Sequence, residues 1–365
     1  MASEPPEGAF AGTLGDLAQA RAREGEELAG HRKAEAVVCD DDGILVVGTV
    51  STASGGERTL LLRLSDDGEV VWELEHGPGA GRAVAAHPDG GFVVVGDEQV
   101  GALDYEAMLL RLDADSAPVR GQRFGAAGST GLTSVTVLAG GTALAGGMER
   151  GRGYLATEDW SASLDDVGAV AGVAALADGG FALAAVAEPS PSALGLTRVA
   201  AFGADRAERW ARTLPEAGRG EPAGIAAAEG GDLVLVGHHS PGAAPARLWV
   251  TRLGADGSAR WERLLGDERE EHRGRAVALL ADGGIAVAGD AARGGRRGVR
   301  VARLGADGTT VWEKAFGEGE QDVALGLAAT ADGGLVVVGS TLDGKTQGRI
   351  RRLDGAGDLL WTRAF

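Results

Sequence analysis

Asparagine is missing altogether from this chain of 365 residues, lysine occurs three times and cysteine once. A single cysteine excludes an internal disulfide, and the setting of Cys39 in the apolar run AVVC predicts a buried thiol with no chemical task. Long apolar runs are missing as well: no stretch approaches the roughly 18 residues that a membrane-spanning helix needs. The first ten residues, MASEPPEGAF, carry neither the basic nor the apolar segment of an export signal, so the expected location is cytoplasmic. The lack of Asn and the preference for Arg over Lys fit a GC-rich bacterial genome and carry no mechanism. Catalytic signatures are absent too. There is no G-x-S-x-G elbow, no H-E-x-x-H and no Cys with His at metal spacing, so no catalytic residue, metal ligand or cofactor is expected, and an enzyme is the less favoured reading.

Positive charge is in short supply: 35 Lys and Arg against 53 Asp and Glu leave a net charge of −18 and a pI near 4.8. Such a field repels nucleic acid and anionic membrane, and a partner steered by it would be basic. Plain solubility is the alternative meaning of the same charge.

What is abundant is glycine, 62 residues of it, set between short apolar runs in the manner of many strands joined by tight turns. Seven copies of one unit stand out: DDDGILVVG, PDGGFVVVG, LAGGTALAG, ADGGFALAA, AEGGDLVLVG, ADGGIAVAG and ADGGLVVVG. The second glycine of each turn falls at 43, 91, 141, 180, 231, 284 and 334, a period of 39 to 53 residues. A period of that size signals a propeller or a solenoid. A second motif interleaves with it: RLSDDGEVVW, RLGADGSARW, RLGADGTTVW and RLDGAGDLLW end at Trp72, Trp261, Trp312 and Trp361, with worn copies ending at Trp210 and Arg120. Each is a strand, a turn of Asp and Gly, and a return strand. The copy around Trp160, YLATEDWSASL, lacks the turn residues, which accounts for the one short step. Four antiparallel strands per unit, repeated seven times, predict an all-β, seven-bladed β-propeller over residues 34–365.

Residues 1–33 are expected to form an N-terminal arm. In it FAGTLGD, residues 10–16, repeats the fourth-strand pattern of WERLLGD, and a short helix follows. The chain thus holds eight candidates for seven fourth strands. Phe10 and Leu14 compete with Trp361 and Phe365 for the closing position, and the expectation is that the C-terminal strand takes it. The N-terminal copy would then add outside it or pack on a neighbour, a possible route to assembly.

The paired motifs, D-G-G followed by an apolar strand and R-L-x-A-D-G-x-x-x-W, resemble bacterial β-propeller repeats loosely grouped with quinoprotein-like propellers, over nearly all the chain after about residue 34. The resemblance implies architecture. Quinone-cofactor members of that shape rely on a vicinal disulfide and export, and this chain has one cysteine and no visible export signal. No repeat carries the G-H and W-D signatures of WD-type propellers. Six-bladed lactonase-like enzymes use Asn about a central calcium, which this chain lacks.

One stretch looks like a phosphate-binding loop. Residues 339–346, GSTLDGKT, fit G-x-x-x-x-G-K-T. In register with its siblings the stretch falls between second and third strands, so no helix should follow to receive a phosphate.

The repeat sorts its connections into two faces. Turns between strands one and two and between three and four are uniform, whereas the other connections vary, and variable loops on one scaffold are where binding is built. On the variable face blades 5 to 7 gather Glu216, Glu221, Asp267, Glu268 and Glu270 with Glu271, Glu318, Glu320 and Asp322. A basic protein surface fits such a rim; a solvated acidic edge is the alternative. His238 and His239 are neighbours on a strand and should point to opposite sides, so they are not a chelating pair. The expected function is a non-catalytic interaction scaffold or regulatory subunit with a protein partner; the rival is a small-molecule or glycan site, or a hydrolase site, in the central channel. Alanine and glycine in first strands such as GRAVAA would make the channel an inert axle, and converging charges would favour the rival.

Overall fold

The computed structural model describes residues 30–365 except 53–54, 102–103, 126–128, 188–194, 216–218, 243, 318–320 and 344. Phe10, Leu14 and the expected helix of the arm fall outside the described residues, as do Glu216, Glu318 and Glu320.

Seven four-stranded antiparallel sheets follow one another in strict chain order. Blades 1 to 7 run Arg32–His76, Gly79–Phe124, Thr130–Leu164, Val167–Leu214, Arg219–Leu265, Glu271–Phe316 and Val323–Ala364. Seven hydrophobic clusters hold them together, each spanning one junction between neighbouring blades, the last joining blade 7 to blade 1 through Val336, Val338 and Ile350 against Ala34, Ile44 and Val46. This explains the apolar runs that follow each D-G-G turn. A second strand such as Ile285–Arg293 has a neighbouring blade on each side, so seven successive residues from Ile285 are buried and no polar alternation is possible. Among the described residues the only helical element is the single turn Glu229–Gly231, and no helix is long and apolar enough to cross a membrane.

The glycine that closes the apolar run has a specific cause. In blade 6 the first strand, Glu271–Leu279, contains a bulge: Gly274 pairs with Gly289 and Ala276 with Ala288, so Arg275 is the extra residue. The bulge pushes backbone against the facing position, and a Cβ on Gly289 would overlap the carbonyl oxygen of Arg273. The same irregularity occurs in the first strand of every blade.

The R-L and tryptophan motifs hold the turn face together. Third-strand arginines reach the Asp of the first turn: Arg63 to Asp40 at 2.5 Å, Arg252 to Asp232 at 2.9 Å, Arg352 to Asp332 at 2.6 Å, and likewise Arg111 to Asp89 and Arg303 to Asp282. Each fourth-strand tryptophan of blades 4 to 7 donates its indole N–H to the next blade's second turn. Trp210 reaches the Ala255 carbonyl at 2.8 Å, Trp261 that of Ala306 at 3.0 Å, Trp312 that of Gly355 at 3.1 Å and Trp361 that of Asp66 at 3.0 Å. The turn glycine lies under the ring; a Cβ on Gly308, whose φ is +79°, would sit 2.8 Å from Trp261. In blade 4 Arg206 replaces that glycine, and its guanidinium stacks on Trp160 at 4.6 Å.

Strand Leu359–Ala364 pairs with Lys345–Leu353 as the outer strand of blade 7, so the C-terminal copy occupies the closing position. Gly339 to Thr346 form a hairpin: Leu335–Asp343 leads into Lys345–Leu353, and the Thr346 N–H is given to His31 Nδ1 at 3.0 Å. Lys345 and Thr346 therefore open a strand and not a helix.

Candidate functional site

Antiparallel order puts the variable connections at one end of the ring, and the predicted acidic residues there meet different fates. Glu221, Asp267 and Glu268 are exposed. Glu221 faces half-buried His238 at 3.6 Å, and Glu268 faces Arg247 at 3.3 Å. Glu270 is tucked against Arg293 at 3.0 Å, and Glu271 pairs with Arg273 at 2.5 Å. Asp322 does not belong to the rim at all: it is fully buried and bound to Arg351. Of the six described acids, four thus face an arginine, whereas exposed Glu221 and Asp267 do not. His239 is buried against Trp249, ring centroids 5.9 Å apart, on the side of the strand away from His238. Burial holds the imidazoles of His238 and His272 below their usual pKa, and for His272 the Arg300 guanidinium adds to the effect.

Exposed apolar side chains stand elsewhere on the same face. Val100, Tyr105, Met148 and Leu342 are 36 to 51% exposed in and beside the loops between second and third strands of blades 2, 3 and 7.

The channel is not the inert axle that alanine and glycine would make. All seven bulged residues, one per blade, line a single axial cavity of about 220 Å³. Four of them carry polar groups: Glu35, Arg82, Thr133 and Arg275. Arg82 donates Nε to Asp97 at 3.0 Å and lies 3.4 Å from Glu35 through Nη1. Burial works against its charge, yet the two carboxylates raise its pKa. Arg275 donates Nε to Asp290 at 2.9 Å, and Asp290, 2% exposed, also receives Arg297 Nη1 at 3.0 Å. Burial lifts the Glu35 carboxyl above its ordinary range. The signal for this ring was present in GRAVAA and RGRAVALL, where Arg recurs at one repeat position. Its direction depends on a bulge that no residue type announces.

No family model matches the chain, and no curated protein matches it. Among solved structures it is similar to KlAtg21 in complex with the coiled coil of AgAtg16, with TM-score 0.56 and 12% identity over 91% of this chain and 99% of that one. It is similar also to a puromycin hydrolase, with TM-score 0.54 and 19% identity over 92% of this chain. The match covers 54% of the hydrolase, so this chain spans about half of it. Sqt1 of Chaetomium thermophilum aligns at TM-score 0.48 and 13% identity over 78% of this chain and 86% of that one. Identities this low show the fold alone.

Proposed function

We propose that the protein is a non-catalytic interaction scaffold whose variable face holds a protein partner. The observation that carries this reading is that the variable face leaves Val100, Tyr105, Met148 and Leu342 open to water on loops that differ from blade to blade, whereas the exposed Val70, Val71, Val119, Val311, Leu359 and Leu360 recur at one repeat position, the start of the fourth strands beside the turn face. Exposed apolar side chains on dissimilar loops are what an interface core is built from. Exposed Glu221, Asp267 and Glu268 give the edge of the contact a preference for basic groups on the partner. Atg21, solved as a complex with a coiled coil, offers a fold-level analogy.

Affinity purification of the tagged chain, with cross-linking and mass spectrometry, tests the reading. A stoichiometric partner should cross-link to the variable face and be lost when Tyr105→Glu, Met148→Glu and Leu342→Glu are combined. Retention by that variant, with cross-links on the turn face, would overturn it.

A second reading rests on the channel, where Glu35, Arg82 and Arg275 converge. It places a small polar molecule or glycan on the axis. Native mass spectrometry of the purified chain separates the two, because an axial ligand would be lost on Arg82→Gln while the partner would stay.

A further inference from the structure

The hairpin between the second and third strands of blade 6 carries Arg293, Arg296, Arg297 and Arg300 within eight residues. With Glu270 they line a pocket of about 290 Å³ whose apolar lining includes Ala291, Val299 and Phe316. Arg293 and Arg296 stand directly opposite each other across the Gly294–Gly295 turn. Like charges in facing positions weaken a hairpin. The turn itself needs only the two glycines, whose φ values of 57° and 81° suit a two-residue loop.

The hairpin that lines the pocket is tied to its neighbours. Asp290 anchors Arg297 at 3.0 Å, and Gln321 donates its side-chain amide to the Gly295 carbonyl at 2.6 Å. Glu270 answers Arg293. Arg296 and Arg300 have no carboxylate partner among the described residues. Among the described residues Glu270 and Asp290 are the carboxylates that meet these guanidiniums, and Asp290 is shared with Arg275, so positive charge exceeds negative here in a chain whose net charge is −18.

We propose that this pocket binds a phosphate group, carried by a monoester or supplied as free phosphate. A dianion matches a pocket whose Arg296 and Arg300 face no described carboxylate, and guanidinium forks bind tetrahedral oxyanions through paired N–H groups. The whole-molecule field opposes any anion, so recognition depends on these short contacts. The site does not depend on a partner occupying the apolar loops.

Titration calorimetry of the full chain at fixed ionic strength tests it, with inorganic phosphate, O-phosphoserine and acetate as probes. The expected result is one phosphate site per chain, with acetate at least tenfold weaker. Combining Arg296→Gln with Arg300→Gln should weaken phosphate at least tenfold while the melting temperature holds. Tighter binding of phosphoserine would identify a monoester whose stem uses the apolar lining; equal affinity would identify free phosphate, and either supports the site. Absence of saturable binding, acetate binding as well as phosphate, or full binding by the double variant would overturn it.

Discussion

Cys39 lies partly buried in the first strand of blade 1, and burial pushes its thiol up to about 12. The thiolate is the reactive form, so at pH 8 iodoacetamide should modify the folded chain roughly a thousandfold more slowly than the unfolded chain; equal rates would refute the burial. Asp322 makes the complementary case for charge. Removing one member of a buried pair strands the other, so Asp322→Asn should cost about 3–5 kcal/mol in urea denaturation. Glu268→Gln, at a side chain 83% exposed, should stay within about 0.5 kcal/mol. In the sequence both residues belong to one acidic rim. Arg32, Thr130, Gly220, His272 and Asp322 all stand near the start of a blade's first strand, and all are buried. Nothing chemical unites them, so composition hides what backbone position imposes.

Elements were more legible than residues because each repeated motif answers a local demand. The apolar run of a second strand answers burial on both sides, and its closing glycine answers the bulge opposite. The Asp of the first turn answers the third-strand Arg. That last pairing has a consequence in acid. The side-chain hydrogen bond from Arg111 holds Asp89 low, hydrogen bonds from Thr330 and Arg352 hold Asp332 low, and in blade 4 a fourth-strand arginine, Arg209, does the same for Asp178. A carboxyl whose folded pKa lies below its unfolded value of about 3.9 stabilises the fold above that pH and stops doing so as pH falls through the folded pKa. Urea midpoints should therefore decline gently from pH 7 to about 5, where buried His238 and His272 resist protonation, and fall steeply below about 4, with Asp332→Asn showing a shallower acid fall. A midpoint unchanged down to pH 2.5 would refute the role of these turns. The bulges were the illegible elements. A bulge is a count of residues between partners, visible only once the strands are paired, and so the polar ring of Glu35, Arg82, Thr133 and Arg275 could not be read from spacing.

Among the described residues every blade is a continuous stretch of chain, and no strand is exchanged between ends. Six junctions are backed by a covalent connection; among the described residues the junction from blade 7 to blade 1 is made of side chains and hydrogen bonds, among them Trp361 to Asp66 and Thr346 to His31. Its chemistry copies the others, since Gly68 lies under Trp361 as Gly308 lies under Trp261. Its mechanics differ. Separating blades 5 and 6 leaves them tethered and ready to re-dock, whereas separating blades 7 and 1 opens the ring and releases chain entropy that only closure had withheld. Trp361→Ala and Trp261→Ala remove the same contact, so equal losses are expected if the junctions are equivalent. Hydrogen exchange should show instead that Trp261→Ala raises exchange only beside its own junction. Trp361→Ala should raise it along the first strand of blade 1 and the outer two strands of blade 7 together. Matching local patterns in the two variants would mean that the ring stays shut without the Trp361 contact, with the apolar cluster of Val336, Val338 and Ile350 against Ala34, Ile44 and Val46 sufficient to close it.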